Sequence, residues 1–225
     1  MISTARPTKF TPGSVRAAAV NEGVRLSTNP SSATLYSMCG WGKIVTDRNA
    51  YSTFLSMETT GSTQWNELIT DTDGTTLILT DTSGQATVGA MTVGTWYFMG
   101  LSVSGTAAKA YFAAQGAASL TTVTRTISTV SPLSYVTIMS GDLSTAEWLN
   151  GEMARVRVWN AQLTDAEMLA EYKGEWAQKR TSLIGDWPMK TAADVLTDYS
   201  GLSHNLTSPF GGSALANGAA GPTIG

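Results

Sequence analysis

The chain has 225 residues, 42% hydrophobic and only 14% charged, with a formal charge of −3; ordinary soluble domains carry roughly 25% charged residues. A near-neutral, sparsely charged chain has no clustered Lys and Arg to set against phosphates, which excludes a broad nucleic-acid footprint. Cys39 is the only cysteine, so neither an intrachain disulfide nor a thiolate zinc cluster can form, and the fold must hold by packing.

The first residues, MISTARPTKFTPGSV, lack the apolar run of roughly 7–15 residues that a secretion signal needs. No later stretch reaches the roughly 18 apolar residues of a membrane span, so the expectation is a soluble chain without an export signal or membrane span. Residues 1–32 contain Pro7, Pro12 and Pro30, with Arg6, Lys9, Arg16 and Arg25 against Glu22 alone. They read as a locally basic, extended arm. Residues 33–210 read as a single domain, since all-β sandwiches of roughly 200–250 residues commonly form one unit.

Within that domain, short runs rich in β-branched and aromatic residues are separated by Gly, Asp, Asn and Ser, which is strand vocabulary. The runs are Thr34 to Val45, Tyr51 to Met57, Trp65 to Thr70, Thr75 to Thr80, Thr95 to Ser104, Ala107 to Ala114, Tyr135 to Ser140, Glu152 to Trp159, Leu183 to Met189 and Asn205 to Ser208. Asp71-Thr72-Asp73-Gly74 and Asp81-Thr82-Ser83-Gly84 read as tight reversals: Asp bonds its own downstream backbone and Gly accepts positive φ. Ser104-Gly105 reads as a hairpin turn. In Glu152 to Trp159 the two-residue period places Ala154, Val156 and Val158 on one face and Arg155, Arg157 and Trp159 on the other.

One helix is expected, near 164–173. Thr164 as N-cap and Glu167 three residues on form a capping box, Met168, Leu169 and Tyr172 supply an apolar stripe, and Gly174 stops it. Residues 211–225 form a Gly/Ala-rich tail with too little apolar mass to offset its own ordering entropy, so it should fray or dock on a partner. Many short strands joined by reversals predict an all-β, antiparallel sandwich.

The stretch Gly151-Glu152-Met153-Ala154-Arg155-Val156-Arg157-Val158-Trp159-Asn160, with the capped segment Leu163 to Met168, resembles the closing strand and short helix of laminin-G-like domains in the concanavalin-A-like lectin and glucanase superfamily. Gly94-Thr95-Trp96-Tyr97 followed by Leu101 and Ala110-Tyr111-Phe112 resembles that family's Gly-any-Trp strand and hairpin. Leu35 to Lys43, with Trp41, resembles its early strand. Asp186-Trp187-Pro188-Met189 and Asp198-Tyr199-Ser200-Gly201, with Asn205-Leu206-Thr207, resemble the strand pair that often opens such domains, here at the carboxyl end. The resemblance implies a jelly-roll sandwich used for glycan or protein adhesion and frequently calcium-assisted. Ala154 and Arg155 stand where the family carries carboxylates, a departure that bears on calcium.

Candidate chemistry is thin. A glucanase needs two carboxylates about 5–5.5 Å apart for retention, and no Glu-x-Asp-x-Glu-like run occurs along one strand. Asp165 and Glu167 open the helix and suit its dipole. His204 is the only histidine and no nucleophile elbow accompanies it. Cys39 reads as a small buried hydrophobe, and no phosphate loop is present. Asp71-Thr72-Asp73-Gly74 starts like a calcium loop but lacks the bidentate Glu at its twelfth position, so no catalytic residue, metal ligand or cofactor is assigned, calcium remaining the one cofactor left open. Trp65 and Tyr51 are the candidate ligand-binding residues, since an aromatic face covers the apolar side of a pyranose.

The function expected is therefore a non-enzymatic structural or adhesion module, a decoration or tail protein at a virion surface, assembled in the cytoplasm or displayed extracellularly. Its expected partners are other structural proteins or surface glycans, with oligomerisation through edge strands. The alternative is a stand-alone carbohydrate-binding lectin, and third a glucanase-type hydrolase.

Overall fold

The computed structural model describes residues 13–19, 22–26, 34–59, 64–128, 134–141, 147–175, 177–208 and 215–224. In chain order the elements are β1 (Val15–Ala17), β2 (Val24–Leu26), β3 (Leu35–Ile44), β4 (Ser52–Glu58), β5 (Trp65–Thr70), β6 (Thr76–Asp81) and β7 (Gly84–Ala90). Then follow β8 (Tyr97–Ser104), β9 (Ala107–Ala114), β10 (Thr121–Thr126), β11 (Tyr135–Ile138), β12 (Gly151–Trp159), α1 (Asp165–Tyr172), a 3₁₀ turn (Arg180–Ser182), β13 (Leu183–Trp187) and β14 (Ala216–Asn217). They form two antiparallel sheets. The first is 8-stranded in the order β10-β9-β8-β3-β12-β1-β14 with β13 also on β12; the second is 6-stranded in the order β2-β11-β4-β5-β6-β7.

Between the sheets lies the main core. Tyr36, Met38, Met99, Leu101, Val156 and Val158 of the first sheet meet Leu55, Met57, Leu68, Leu79, Val136 and Ile138 of the second. A smaller apolar layer on the outer face of the first sheet joins Trp41, Phe98, Ala154 and Trp159 to Met168 and Tyr172 of α1. Strands β3 and β12 are thus covered on both faces, which is why β12 is buried along its whole length. Trp41 stacks on Tyr172 with ring centroids 5.4 Å apart.

The expected face pattern of β12 is corrected by a bulge. Arg155 has φ +51°, and the β12–β3 register shifts between Ala154 and Arg157. One extra residue inverts the parity of everything before it. Ala154 therefore joins Trp159 in the outer layer while Val156 and Val158 face the inter-sheet core. The bend also lets two short strands share one edge of β12, β1 on its first residues and β13 on its last. The carboxyl-end strand β13 thus lies beside the closing strand.

The capping box forms as expected: Thr164 Oγ1 accepts from Glu167 N at 3.3 Å, and Glu167 Oε2 accepts from Thr164 N at 2.7 Å. Gly74 closes its turn with φ +73° and donates its N–H to Asp71 O at 2.8 Å.

The ends depart from expectation. Within the expected arm, β1 pairs with β12 and β2 with β11, and Val15, Ala17, Val24 and Leu26 are buried; Arg6 and Lys9 lie outside the described residues. Within the expected tail, β14 pairs with β1, Ser14 Oγ donates to Ala219 O at 2.6 Å and Trp96 Nε1 to Ala220 O at 3.3 Å. Residues 216–220 dock on the chain's own sheet, whose backbone and polar groups supply what the segment's side chains lack. Asn205 to Ser208, expected as a strand, makes only a single bridge between Thr207 and Arg25. Strands β1, β2, β7, β10 and β14 were not expected. They are very short, or alternate polar residues with small or isolated apolar ones, as in TTVTRT and GQATVGA.

Candidate functional site

The outer face of the second sheet carries a row of buried polar groups. Cross-strand register places Arg25, Thr137, Ser56, Glu67 and Thr80 in one row over five strands. The next row carries Tyr135, Glu58 and Trp65. Thr137 Oγ1 donates to Glu58 Oε1 at 2.6 Å, and the Arg25 guanidinium lies 4.4 Å from the Tyr135 ring centre. On the opposite, inner face Asn66 Nδ2 donates to Tyr36 OH at 2.6 Å, and burial pushes the Tyr36 phenol above its ordinary value.

A second carboxylate approaches Glu67 from the segment after β11. A methyl group added at Gly141 would lie 2.6 Å from Glu147 Oε2, 2.6 Å from Thr53 Oγ1 and 3.1 Å from Glu67 Oε1, so these three oxygens border one small space. Among the described residues the buried Thr53 and Ser56 hydroxyls have no hydrogen-bond partner. Glu67 is 2% exposed and Glu58 1%, so neither carboxylate presents itself to a polymer chain in this geometry. Among the described residues no group of three or more His, Cys, Asp or Glu is arranged to hold a metal ion.

Trp65 sits half-buried at the rim of this face, at the start of β5. Tyr51 immediately precedes β4, at the far end of the same strand pair, because Ser52 opposes Thr70 while Glu58 opposes Trp65. Six residue steps separate the ends by roughly 20 Å, so the two aromatics do not form one platform. Tyr51 instead belongs to a cluster in which Arg48 Nη1 donates to Tyr51 O at 3.2 Å and the Arg48 guanidinium lies 4.1 Å from the Trp148 ring centre. Reading carboxylates along single strands could not find Glu58 and Glu67, which share a face only through the β4–β5 register.

The other singled-out residues have structural roles. Asp73 Oδ1 accepts from Thr75 N and Thr76 N, and Asp71 Oδ1 accepts from Thr72 N. Cys39 is buried, and desolvation raises its thiol well above the ordinary range. His204 Nδ1 lies 2.6 Å from Ile184 O.

Beneath α1, Arg157 forms ion pairs with Glu171 at 2.6 Å and Asp186 at 3.1 Å, while the bulged Arg155 donates to Glu175 O at 2.5 Å. Burial lowers the Arg155 guanidinium from its usual value, and Arg157 beside it adds to the effect. A cavity of about 430 Å³ opens nearby, bordered by Trp41, Tyr172, Lys173, Glu175, Thr223 and Ile224.

A fourth feature is a pinned apolar loop. Asp198 Oδ1 accepts from Asp186 N at 3.0 Å and Ser200 N at 2.8 Å, and its Oδ2 from Ser200 Oγ at 2.6 Å and His204 N at 2.9 Å. Burial raises the Asp198 carboxyl, but these hydrogen bonds outweigh it and hold it below its ordinary value. The loop so fixed presents Leu196, Tyr199 and Leu202 at 37%, 57% and 51% exposure. Asp198 to Gly201 was expected only as part of a motif resembling the family's opening strand pair; the Asp-x-Ser-Gly spacing is that of a side-chain-capped turn, and it is this turn that displays the apolar side chains.

No protein-family model matches the chain, and no curated protein matches it. Solved structures do. The chain is similar to a heptameric SAP-like pentraxin from Limulus polyphemus, with TM-score 0.57 and 16% identity over 75% of this chain and 85% of that one. It is similar to tailspike protein 2 from Escherichia coli O157:H7 bacteriophage CAB120, with TM-score 0.57 and 12% identity over 84% of this chain but 31% of the tailspike. The enzymatically active domain of such a tailspike also matches. It is similar to the LG1-3 region of the laminin alpha2 chain, with TM-score 0.51 and 9% identity over 70% of this chain and 33% of that one. The neighbours thus include enzymes and non-enzymes. No helix among the described residues is long and apolar enough to cross a membrane. The fold is that of the concanavalin-A-like, laminin-G-like jelly-roll sandwiches.

Proposed function

We propose that this chain is a non-enzymatic jelly-roll module that works by surface contact, as a decoration or tail component of a virion. The observation that carries the reading is the Asp198-pinned loop. Of the large apolar side chains exposed among the described residues, Leu196, Tyr199 and Leu202 fall within one short segment, whereas Leu35 and Val93 stand apart. Apolar side chains held out on a rigid loop lose little entropy on docking, which is what a contact surface requires. The similarity to a bacteriophage tailspike over most of the chain supports a virion setting.

The test is a Tyr199→Ser, Leu202→Ser double variant. Both positions are exposed, so its melting temperature should match that of the parent. Microscopy of the native assembly should place these two side chains against a neighbouring protein or glycan, and the variant should lose incorporation at least about tenfold, the share of a desolvated anchor worth about 1.4 kcal/mol. Unchanged incorporation would remove the loop from the contact. Hydrolysis of polysaccharides by the purified parent chain would overturn the non-enzymatic reading itself.

A carbohydrate-binding module is the second reading, and the position of Trp65 beside a polar sheet face favours it. Glycan-array binding lost on Trp65→Ala or Tyr51→Ala supports it, and the distance between the two predicts that only one substitution matters. An array blank with and without calcium opposes it.

A further inference from the structure

The edges of the two sheets are not treated alike. The free side of β13 is covered by the pinned loop: Tyr199 N donates to Asp186 O at 2.8 Å, Asp186 N to Asp198 Oδ1, and His204 Nδ1 meets Ile184 O. The side of β2 is covered by Thr207, which exchanges two backbone hydrogen bonds of 2.8 Å with Arg25. Strand β14 is two residues long. The β6–β7 register is broken by a shift after Leu77, and β7 folds down on β9, so that a methyl group at Gly89 would stand 2.5 Å from the Phe112 ring. These are the usual protections of a sheet edge: covering, shortness, and a bulge that turns the strand away.

Among the described residues strand β10 has neither cover nor bulge, and it is six residues long. Its six residues, TTVTRT, pair with β9 in unbroken register and include neither Pro nor Lys. Thr121, Thr122, Thr124 and Thr126 are exposed. Among the described residues its backbone makes no hydrogen bond except to β9, and its one charge, Arg125, is turned to Asp81 at 2.6 Å. An unbulged, threonine-rich strand whose outer row of N–H and C=O groups is unpaired among the described residues is a template for another strand.

We propose that β10 is a self-pairing edge: a second copy of this chain adds its own β10 antiparallel to it across a two-fold axis, joining two 8-stranded sheets into one continuous sheet. Opposed residues in an antiparallel pair point to the same face. The outward threonines must therefore meet outward threonines, and the register that uses the strand most fully sets Thr124 against its own copy, Thr122 against Thr126 and Val123 against Arg125. No like charges oppose each other in this register. The strand is its own complement, as a two-fold contact requires. A short row of near-identical threonine side chains offers an unrelated peptide little by which its own side chains could be selected. The pairing stands independently of the contact surface at Tyr199, which lies on another element.

Sedimentation equilibrium and hydrogen exchange on the full chain test it. The parent should dimerise reversibly, and amides of 121–126 should exchange more slowly as concentration rises. Thr124→Lys sets two ammonium groups against each other on the axis and should return the chain to monomer, with a melting temperature that no longer rises with concentration and equals that of the parent at dilutions where the parent is monomeric. Thr124→Val, a better strand former of similar size, should keep the dimer. A parent that stays monomeric at its highest soluble concentration overturns the proposal, as does a dimer that survives Thr124→Lys or shows no concentration-dependent protection at β10.

Discussion

The guanidinium of Arg125 stands 2.6 Å from the carboxylate of Asp81, a residue 3% exposed, and so ties the last strand of one sheet to the second. Around it, Arg125 donates to Leu79 O at 3.2 Å and to Gly84 O, and Ser128 N donates to Asp81 Oδ2 at 2.5 Å. The pair closes the open side of the sandwich where β7 and β10 approach without sharing a ladder. Arg125→Met keeps the stem and removes the charge, leaving a buried carboxylate without its cation. Removing one partner of such a pair typically costs about 3–5 kcal/mol. Urea unfolding should show a loss at the lower end of that range, since Ser83 and Ser128 still donate to Asp81. A change below about 1 kcal/mol would mean that the clasp is solvated.

The helix offers a smaller and separable effect. Thr164→Ala removes one half of the capping box and should cost about 1 kcal/mol. The Lys109–Asp165 pair at its first turn is 2.7 Å long, but the Asp165 side chain is 65% exposed, so Lys109→Ala should change stability by less than about 1 kcal/mol. Denaturant midpoints for the two single variants, compared at equal m-value, check this ordering.

Acid should act through the turn carboxylates. Asp198 is held below its ordinary value by the four hydrogen bonds it accepts, against burial, and Asp73 by the Thr76 hydroxyl and the Thr76 and Thr75 amides. Both therefore bind a proton less readily folded than unfolded. Their contribution is complete above the ordinary Asp value of about 3.9 and is lost as pH falls through the lower folded values. Unfolding midpoints should fall steeply below about pH 4. Asp198→Asn should flatten that fall and loosen the Leu196–His204 loop, which proteolysis at the loop will read.

How far the sequence reveals this molecule depends on how local each determinant is. β5 and β9 match their expected bounds and β3 lies within one residue of them at each end, because their side chains are buried and the apolar signal is dense. The capping box is legible because both partners lie three residues apart. By contrast, β7 and β10 are strands by virtue of their neighbours: β7 alternates polar with small residues and β10 is nearly all threonine, patterns that signal little until β6 and β9 are beside them. The bulge at Arg155 leaves no mark in the alternation of Glu152 to Trp159, since Ala154 suits either face. Glu58 and Glu67 are nine positions apart and share a face only through the β4–β5 pairing. The tail's docking rests on backbone pairing with β1, which composition does not encode.

That docking has its own test at Gly174, which ends the helix with φ +76°. A side chain there would collide with Ile224 and stand 3.0 Å from Arg155 Nη1. Gly174→Ala therefore combines left-handed strain with overpacking and should cost about 1–3 kcal/mol, part of it relieved if the last residues lift away. Ile224→Ala thins the cover over the Trp41–Tyr172 stack and, in the double variant, takes away the Cγ2 methyl that the new side chain would strike. The two changes share one contact, so their effects should not add. The double variant should recover part of the Gly174→Ala loss, and hydrogen exchange in residues 215–224 should rise in both single variants. Additive losses with unchanged exchange would show that the carboxyl-terminal segment is held by β1 and Trp96 and takes nothing from its seat on the helix end.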